Sequence, residues 1–339
     1  LLTGQYPFRL GHPQWGTFPP EAEQRTMASL LQRAGYATAV AGKWQLAMLK
    51  DDLNQPQRLG FDEYCLFGWH EGPRYHHPHL WQNGSLRTDV AERYGPDVYC
   101  EFLIDFMRRN RDRWFFAFYS MALCHDVTDD LDAPVPYGPR GRYDNYPEMV
   151  AAMDERVGRI VAALDQLQLS EKTLVLFLTD NGTAAKTIVA AEDGRYVEEP
   201  NVSKLDGRVI PGGKASLTDW GTRVPLIARW PGIVAAGTAN DALVDASDFL
   251  PTLCEVAGAG LPAGAQLDGK SFAPVLRAQS TGRRDWVFAE HKGKSFVKDR
   301  RWKLYNDGRV YDLREDPDEL RPIPHDGLSS ARASAKSSS

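Results

Sequence analysis

Residues 147–178 narrow the possible folds more than any other stretch of the chain. Met149, Met153, Val157, Ile160, Val161, Leu164 and Leu167 recur at spacings of three and four, the apolar stripe of an amphipathic helix between Pro147 and Leu169. Leu174-Val175-Leu176-Phe177-Leu178 follows without a polar residue, which predicts a short strand buried on both faces. A helix feeding such a strand belongs to a sheet covered by helices on both sides. The strand stops at Thr179-Asp180-Asn181-Gly182.

The same rhythm recurs elsewhere. Met27, Leu30, Leu31 and Ala34 predict a helix over 21–34 with Gly35 as its stop, and the apolar run 36–41 predicts a strand ending at Gly42-Lys43-Trp44-Gln45. Val98, Phe102, Ile104, Phe106 and Met107 predict a helix over 97–109, and the aromatic run 114–119 a strand that leads into Cys124-His125-Asp126. A further strand is expected at 224–228. Gly42-Lys43, His125 and Asp180-Asn181 thus fall at or just beyond strand ends, where open α/β sheets bind ligands. From Asp285 onward the pattern changes to four short strands, with Asn306-Asp307-Gly308 as a turn between the last two. The expected division is an α/β domain over 1–284, a small antiparallel subdomain over 285–320, and a disordered tail over 321–339 that lacks periodicity.

Composition excludes several classes. A formal net charge of −5 with no basic stripe argues against nucleic acid as a partner, so an anionic substrate must be held by local positive charge. No stretch reaches the ~18 apolar residues of a membrane helix. Cys65, Cys100, Cys124 and Cys254 form no C-x-x-C pair and read as free thiols, which leaves the compartment open.

Several residue types carry possible chemistry. Asp180 and Asn181 offer adjacent hard oxygen donors that suit Ca²⁺ or Mg²⁺, although Asp-Asn-Gly is also a common turn. Lys43 after Gly42, and Lys214 after Gly212-Gly213, can each bring an ammonium against an oxyanion, or can be solvated surface charges. His125 can act as a general acid near neutral pH, or be a structural histidine. His70, Arg74, His76, His77 and His79 crowd the stretch 69–81 without metal-ligand spacing; this loop is assigned to the leaving-group side of a site. Asn83-Gly84-Ser85 and Asn201-Val202-Ser203 match the glycosylation acceptor pattern, which arises often by chance.

Taken together, these segments resemble the sulfatase family within the alkaline phosphatase superfamily. Leu1-Leu2-Thr3-Gly4-Gln5-Tyr6-Pro7 resembles the stretch after that family's C-x-P-S-R nucleophile motif, Gly42-Lys43-Trp44-Gln45-Leu46 its G-K-W-H-L-G, and Thr179-Asp180-Asn181-Gly182 its T-D-N-G. Gly212-Gly213-Lys214, Gly221-Thr222-Arg223-Val224-Pro225-Leu226, Phe249-Leu250-Pro251-Thr252-Leu253, Leu267-Asp268-Gly269-Lys270-Ser271 and Val310-Tyr311-Asp312-Leu313 follow in the family's order.

The resemblance implies an alkaline-phosphatase-like α/β fold and hydrolysis of sulfate esters of carbohydrates or aryl alcohols. Asp180 and Asn181 would bind a divalent cation, usually calcium. Lys43, Lys214 and His125 would be catalytic, the lysines holding sulfate oxygens and His125 assisting the leaving group. Gln45, His70 and Arg74 are the candidate substrate-binding residues. The nucleophile is expected to be a formylglycine upstream of Leu1, made by a formylglycine-generating or other sulfatase-maturing enzyme; no cysteine present lies in a C-x-P-S-R context. The resemblance therefore predicts an N-terminally truncated, inactive chain that lacks the first strand and its paired aspartates. Export to the periplasm or beyond is implied only by the family's habit. Gln45 replaces the family's usual histidine and cannot exchange a proton at neutral pH. Two alternatives stay open: a phosphate mono- or diester hydrolase of the same superfamily, and a non-catalytic protein that binds sulfated glycans.

Overall fold

The computed structural model describes residues 1–126, 145–192, 195–205, 207–261, 264, 266–282 and 284–324. Its main sheet holds β1 (Ala37–Trp44), β2 (Glu63–Gly68), β3 (Trp81–Gln82), β4 (Ser85–Leu86) and β5 (Phe115–Ser120) in the order β4-β3-β2-β1-β5. β1 runs parallel to both β2 and β5, whereas β3 and β4 form an antiparallel edge. The mixed α/β architecture expected from the sequence is therefore present.

Alternation along β1 sorts its side chains between two cores. Ala37, Ala39 and Ala41 pack with Phe102, Leu103 and Phe106 of α3 (Gly95–Arg109) and with Met149 and Ala152 of α4 (Tyr146–Gln166). Val40 and Trp44 pack on the other face with Leu59, Phe61, Tyr64 and Leu66, and with Ala28 of α1 (Met27–Arg33). Burying a side chain such as Phe106 contributes ~1.5–3 kcal/mol, and its loss to alanine would cost ~3–5 kcal/mol.

Local rules fixed the boundaries. The helix expected over 21–34 splits into a 3-10 turn, Pro20–Arg25, and α1, because Thr26 adopts an extended backbone and caps the Ser29 amide at 3.1 Å. β1 runs through Gly42 and Lys43 rather than ending before them. Gly42 is required there: its φ is +102°, and a Cβ would stand 1.9 Å from the Ser120 carbonyl oxygen of β5.

β6 (Val175–Leu178) departs from expectation. Two short antiparallel hairpins follow it, β7 (Lys186–Glu192) with β8 (Arg195–Pro200), and β9 (Ser203–Leu205) with β10 (Arg208–Ile210). Among the described residues β6 itself pairs only with β11 (Leu226–Arg229), antiparallel, and its residues are half-buried rather than buried on both faces. The reason is lateral: the other flank of β6 and the outer flank of β5 both line one large cavity, of about 2470 Å³.

Short helices complete the domain: α2 (Gln55–Arg58), α5 (Asp219–Thr222), α6 (Phe249–Ala257) and α7 (Ala273–Leu276). A four-stranded antiparallel sheet, β12 (Val287–His291), β13 (Lys294–Lys298), β14 (Trp302–Tyr305) and β15 (Val310–Asp312), closes the described chain. Beyond it the Ile323 amide still donates to the Val310 carbonyl at 2.8 Å, so the first residues of the expected tail lie against β15. The remainder, 325–339, lies outside the described residues. Among the described residues no helix is long and apolar enough to cross a membrane, and all four cysteines are free.

Candidate active site

Lys43, His125, Asp180, Asn181 and Lys214 line the same cavity. Lys43 shares its strand face with Ala39 and Ala41 and emerges where β1 ends. His125 follows β5, and Asp180-Asn181 follow β6, so the carboxyl ends of three strands supply four of these five residues.

Backbone contacts seat the Lys214 loop against the Asp180-Asn181 loop. The amides of Gly213 and Lys214 both donate to the Thr183 carbonyl, at 2.9 and 3.1 Å, and the Gly182 amide donates to the Gly221 carbonyl at 3.0 Å. A Cβ on Gly182 would lie 1.8 Å from the Trp220 carbonyl oxygen, so only glycine lets these two loops touch. Ala215, next to Lys214, holds φ at 69°, a left-handed backbone that costs ~1–2 kcal/mol outside glycine. Asn201 steadies the other side, donating to the Ala184 carbonyl at 2.8 Å.

His125 is partly buried, and its Nδ1 lies 2.7 Å from the Asp126 carbonyl oxygen. That oxygen can only accept, so the neutral ring carries its proton on Nδ1 and leaves Nε2 as an acceptor. Burial pushes the imidazole pKa below its ordinary value, and the nearby Lys214 and Lys43 ammonium groups push it the same way; the Asp126 contacts oppose them. Two cations therefore act on one histidine, which places Lys43 and Lys214 within electrostatic reach of it.

Several supporting residues gave no signal in the sequence. The Tyr75 hydroxyl lies against the carbonyls of Ala122 and His125 and fixes the turn that presents the imidazole. Tyr146, at the start of α4, lines the same cavity; burial raises its pKa, with Cys124 and Asp180 adding to the rise and Thr183 opposing it. Lys303 of β14 is fully buried and donates to the Leu217 carbonyl at 2.6 Å and to Glu319 at 2.7 Å. Lys298 of β13 grips both carboxylate oxygens of Asp219 at 2.7 Å, so the C-terminal sheet clamps the loop that carries Lys214.

The remaining sequence-derived candidates lie elsewhere. Gln45, His70 and Arg74 do not line the cavity. Gln45 is tied by its carbonyl to the Gly16 amide at 2.9 Å, and exposed His70 packs on Trp69. Arg74 is only 3% exposed, with its guanidinium 5.2 Å from the Phe67 ring centre; it is a core residue, because the chain after β2 turns inward there. Asp180 and Asn181 have the donor chemistry for a hard cation. Among the described residues, however, no group of three or more His, Cys, Asp or Glu gathers to hold a metal. Two side-chain donors fall short of the six to eight oxygens calcium takes, so the described residues do not complete a metal site.

Other motif residues are structural. Asp268 receives the Tyr6 amide at 2.9 Å and the Arg9 guanidinium at 2.7 Å, which docks the first residues beside α6. Arg284 and Asp248 form an ion pair buried to 3% and 2% exposure.

Comparison with known proteins agrees with this architecture. The sulfatase family profile matches residues 1–259, and the profile for the C-terminal region of N-sulphoglucosamine sulphohydrolase matches residues 214–331. The chain is 28% identical to steryl-sulfatase of Mus musculus, over 89% of this chain and 60% of that one. It is 28% identical to N-acetylgalactosamine-6-sulfatase of Canis lupus familiaris, over 81% of this chain and 55% of that protein. The chain thus spans little more than half the length of these curated relatives. The crystal structure of Ps i-CgsB in complex with k-i-k-neocarrahexaose superposes with a TM-score of 0.72 at 23% identity, covering 97% of this chain and 77% of that one, and shows the same fold. With one profile running across the site and most of the sheet, the chain belongs to the sulfatase family.

Proposed function

We propose that this protein hydrolyses sulfate esters, with sulfated carbohydrate as the favoured substrate class. The observation that carries the reading is the convergence of Lys43, Lys214 and His125 on one cavity beside Asp180-Asn181. Two relatives support the carbohydrate: one is named for a sulfated amino sugar, and one fold neighbour is seen with a neocarrahexaose.

The two ammonium groups face the non-bridging sulfate oxygens, whose charge must be neutralised as the S–O bond breaks. An isolated His125 is held neutral by burial and by those same lysines. A bound sulfate cancels their field, so the imidazole can take a proton on Nε2 and pass it to the leaving alkoxide. Anion binding and proton loading are thereby linked. Asp180 and Asn181 would give two oxygens to calcium or magnesium, which would draw charge from the sulfate oxygens. The nucleophile that the family uses is formylglycine, and a sulfatase-maturing enzyme is the partner this requires.

The test is sulfate release by the full-length protein, including the nucleophile segment expected upstream of Leu1, produced with such a maturing enzyme. Asp180→Ala should abolish release from sulfated sugars and remove any stabilisation by added calcium, while the far-UV spectrum is retained. Unchanged release would sink the assignment, and preference for an aryl phosphate over the aryl sulfate would move the reaction to phosphoryl transfer.

A further inference from the structure

We propose that Trp15 and Trp69 form a stacking platform for a sugar ring at the outer end of the site. This platform would hold a pyranose of an oligosaccharide whose sulfate ester lies between Lys43 and Lys214. The inference rests on the sulfate-ester reading and adds to it a determinant of chain length.

Trp15 is 72% exposed, an unusual position for the largest apolar side chain, and it is not disordered packing: its ring meets Trp69 edge-on at 5.1 Å and 88°. Trp69 in turn lies 4.1 Å from the His70 ring. The pair, with Pro13 and Gln14, lines an open surface hollow of about 380 Å³. Pro13 and Gln14 also line the large cavity that holds the lysines, so the two spaces share a wall.

The platform is fixed to the strand ends that build the site. Gly16 donates to the carbonyl of Gln45, two residues beyond Lys43. Trp69 directly follows Gly68, the β2 residue in register with Trp44. Thr17 folds the intervening turn by donating its amide and hydroxyl to the Gln14 carbonyl, at 3.0 and 2.6 Å.

The chemistry of this surface selects the ligand. Two indole faces offer dispersion and apolar contact to the C–H face of a pyranose, while Gln14 and the Trp N–H groups can meet its hydroxyls. None of the four lining residues carries a formal charge, so the ring held there need not be the sulfated one. Trp114 is the internal contrast. It is 69% exposed and stacks on Tyr36 at 5.7 Å, but it precedes β5 as Tyr36 precedes β1, at the opposite end of the sheet. Exposure alone does not make a platform: Trp15 and Trp69 share Pro13 and Gln14 with the cavity that holds the lysines, whereas Trp114 lines neither space.

The experiment takes the full-length protein, with the nucleophile segment expected upstream of Leu1 present and matured, and compares it with its Trp15→Ala, Trp69→Ala and Trp114→Ala variants. Probes are a small aryl sulfate and sulfated hexasaccharides, one from a galactan and one from a glycosaminoglycan. Hexasaccharide binding is followed in parallel by tryptophan fluorescence. Expected is a fall of roughly tenfold in the ratio of kcat/KM for a hexasaccharide to that for the aryl sulfate in W15A and W69A, expressed in KM, with Trp15→Phe restoring most of it and W114A unchanged. An unchanged ratio in both variants overturns the platform, as does turnover of aryl sulfate by a chain that binds neither hexasaccharide. Hexasaccharide binding that W15A weakens, without release of sulfate from any probe, supports the platform and overturns the hydrolase reading instead. Neither binding nor turnover overturns both.

Discussion

Replacing Lys303 with methionine tests whether the C-terminal sheet holds the Lys214 loop by a buried charge. Lys303 is 0% exposed and its partner Glu319 has a side chain only 2% exposed. Its ammonium also donates to the Leu217 carbonyl and stands 4.1 Å from the Phe296 ring centre. Methionine keeps the apolar stem over that ring and removes the charge. What remains is a buried Glu319 carboxylate with only the neutral Tyr305 hydroxyl and Asp219 amide as donors, and no cation beside it, a change that typically costs ~3–5 kcal/mol. Against a total stability of about 5–15 kcal/mol this is a large fraction. Burial pushes the Lys303 pKa below its ordinary range even though Glu319 and Asp219 oppose it, so the intact network is no great source of stability. It follows that neutralising the orphaned partner should repair much of the damage: K303M/E319Q is expected to recover roughly half the loss, a coupling within the ~0.5–3 kcal/mol range of neighbouring sites. Urea unfolding followed by tryptophan fluorescence gives both numbers, and hydrogen exchange at residues 212–222 shows whether the loop loosens first. A single variant within about 1 kcal/mol of the parent, or a double variant no more stable than the single, would refute the reasoning.

Two further outcomes follow from the site. The His125 pKa lies below the ordinary 6.5 in the folded chain, so between those two values the unfolded chain binds more protons and stability rises with pH. This contribution is complete above 6.5 and is lost as pH falls toward the folded value, at no more than about 1.4 kcal/mol per unit; His125→Gln should flatten the difference in melting curves taken below and above that window, and a parallel profile for the two proteins would contradict it. Gly42→Ala brings a Cβ to 1.9 Å from the Ser120 carbonyl and strains a φ of +102°, so a loss of ~2–4 kcal/mol is expected, with Lys43 displaced. Equal urea midpoints for the two chains would show that β1 and β5 part without cost.

Much of the molecule could be read before any coordinates. The helices 97–109 and 147–169, the strands beside Lys43, His125 and Asp180, and the late antiparallel sheet followed from local periodicity, because each element's own residues carry that signal. Motif order likewise pointed to the family and to Lys43, His125, Asp180, Asn181 and Lys214, which do share a cavity.

Tertiary structure decided the rest, where the deciding contact lies far away in the chain. β6 reads as fully buried by composition, yet it is half-buried, since burial depends on which strands flank it. Arg74 reads as a substrate ligand among histidines, yet the turn after β2 folds it against Phe67. Lys303 and Lys298 reach back more than 75 residues to grip the loop that carries Lys214, and Tyr75 reaches forward to set His125. Trp15 and Trp69 lie 54 residues apart in sequence and in ring contact in space. The sequence by itself determined the elements, their order and the chemical groups, because periodicity and motif spacing are local. Only the packing of those elements decided which groups face one another, because charge, burial and ring contact are properties of neighbours in space.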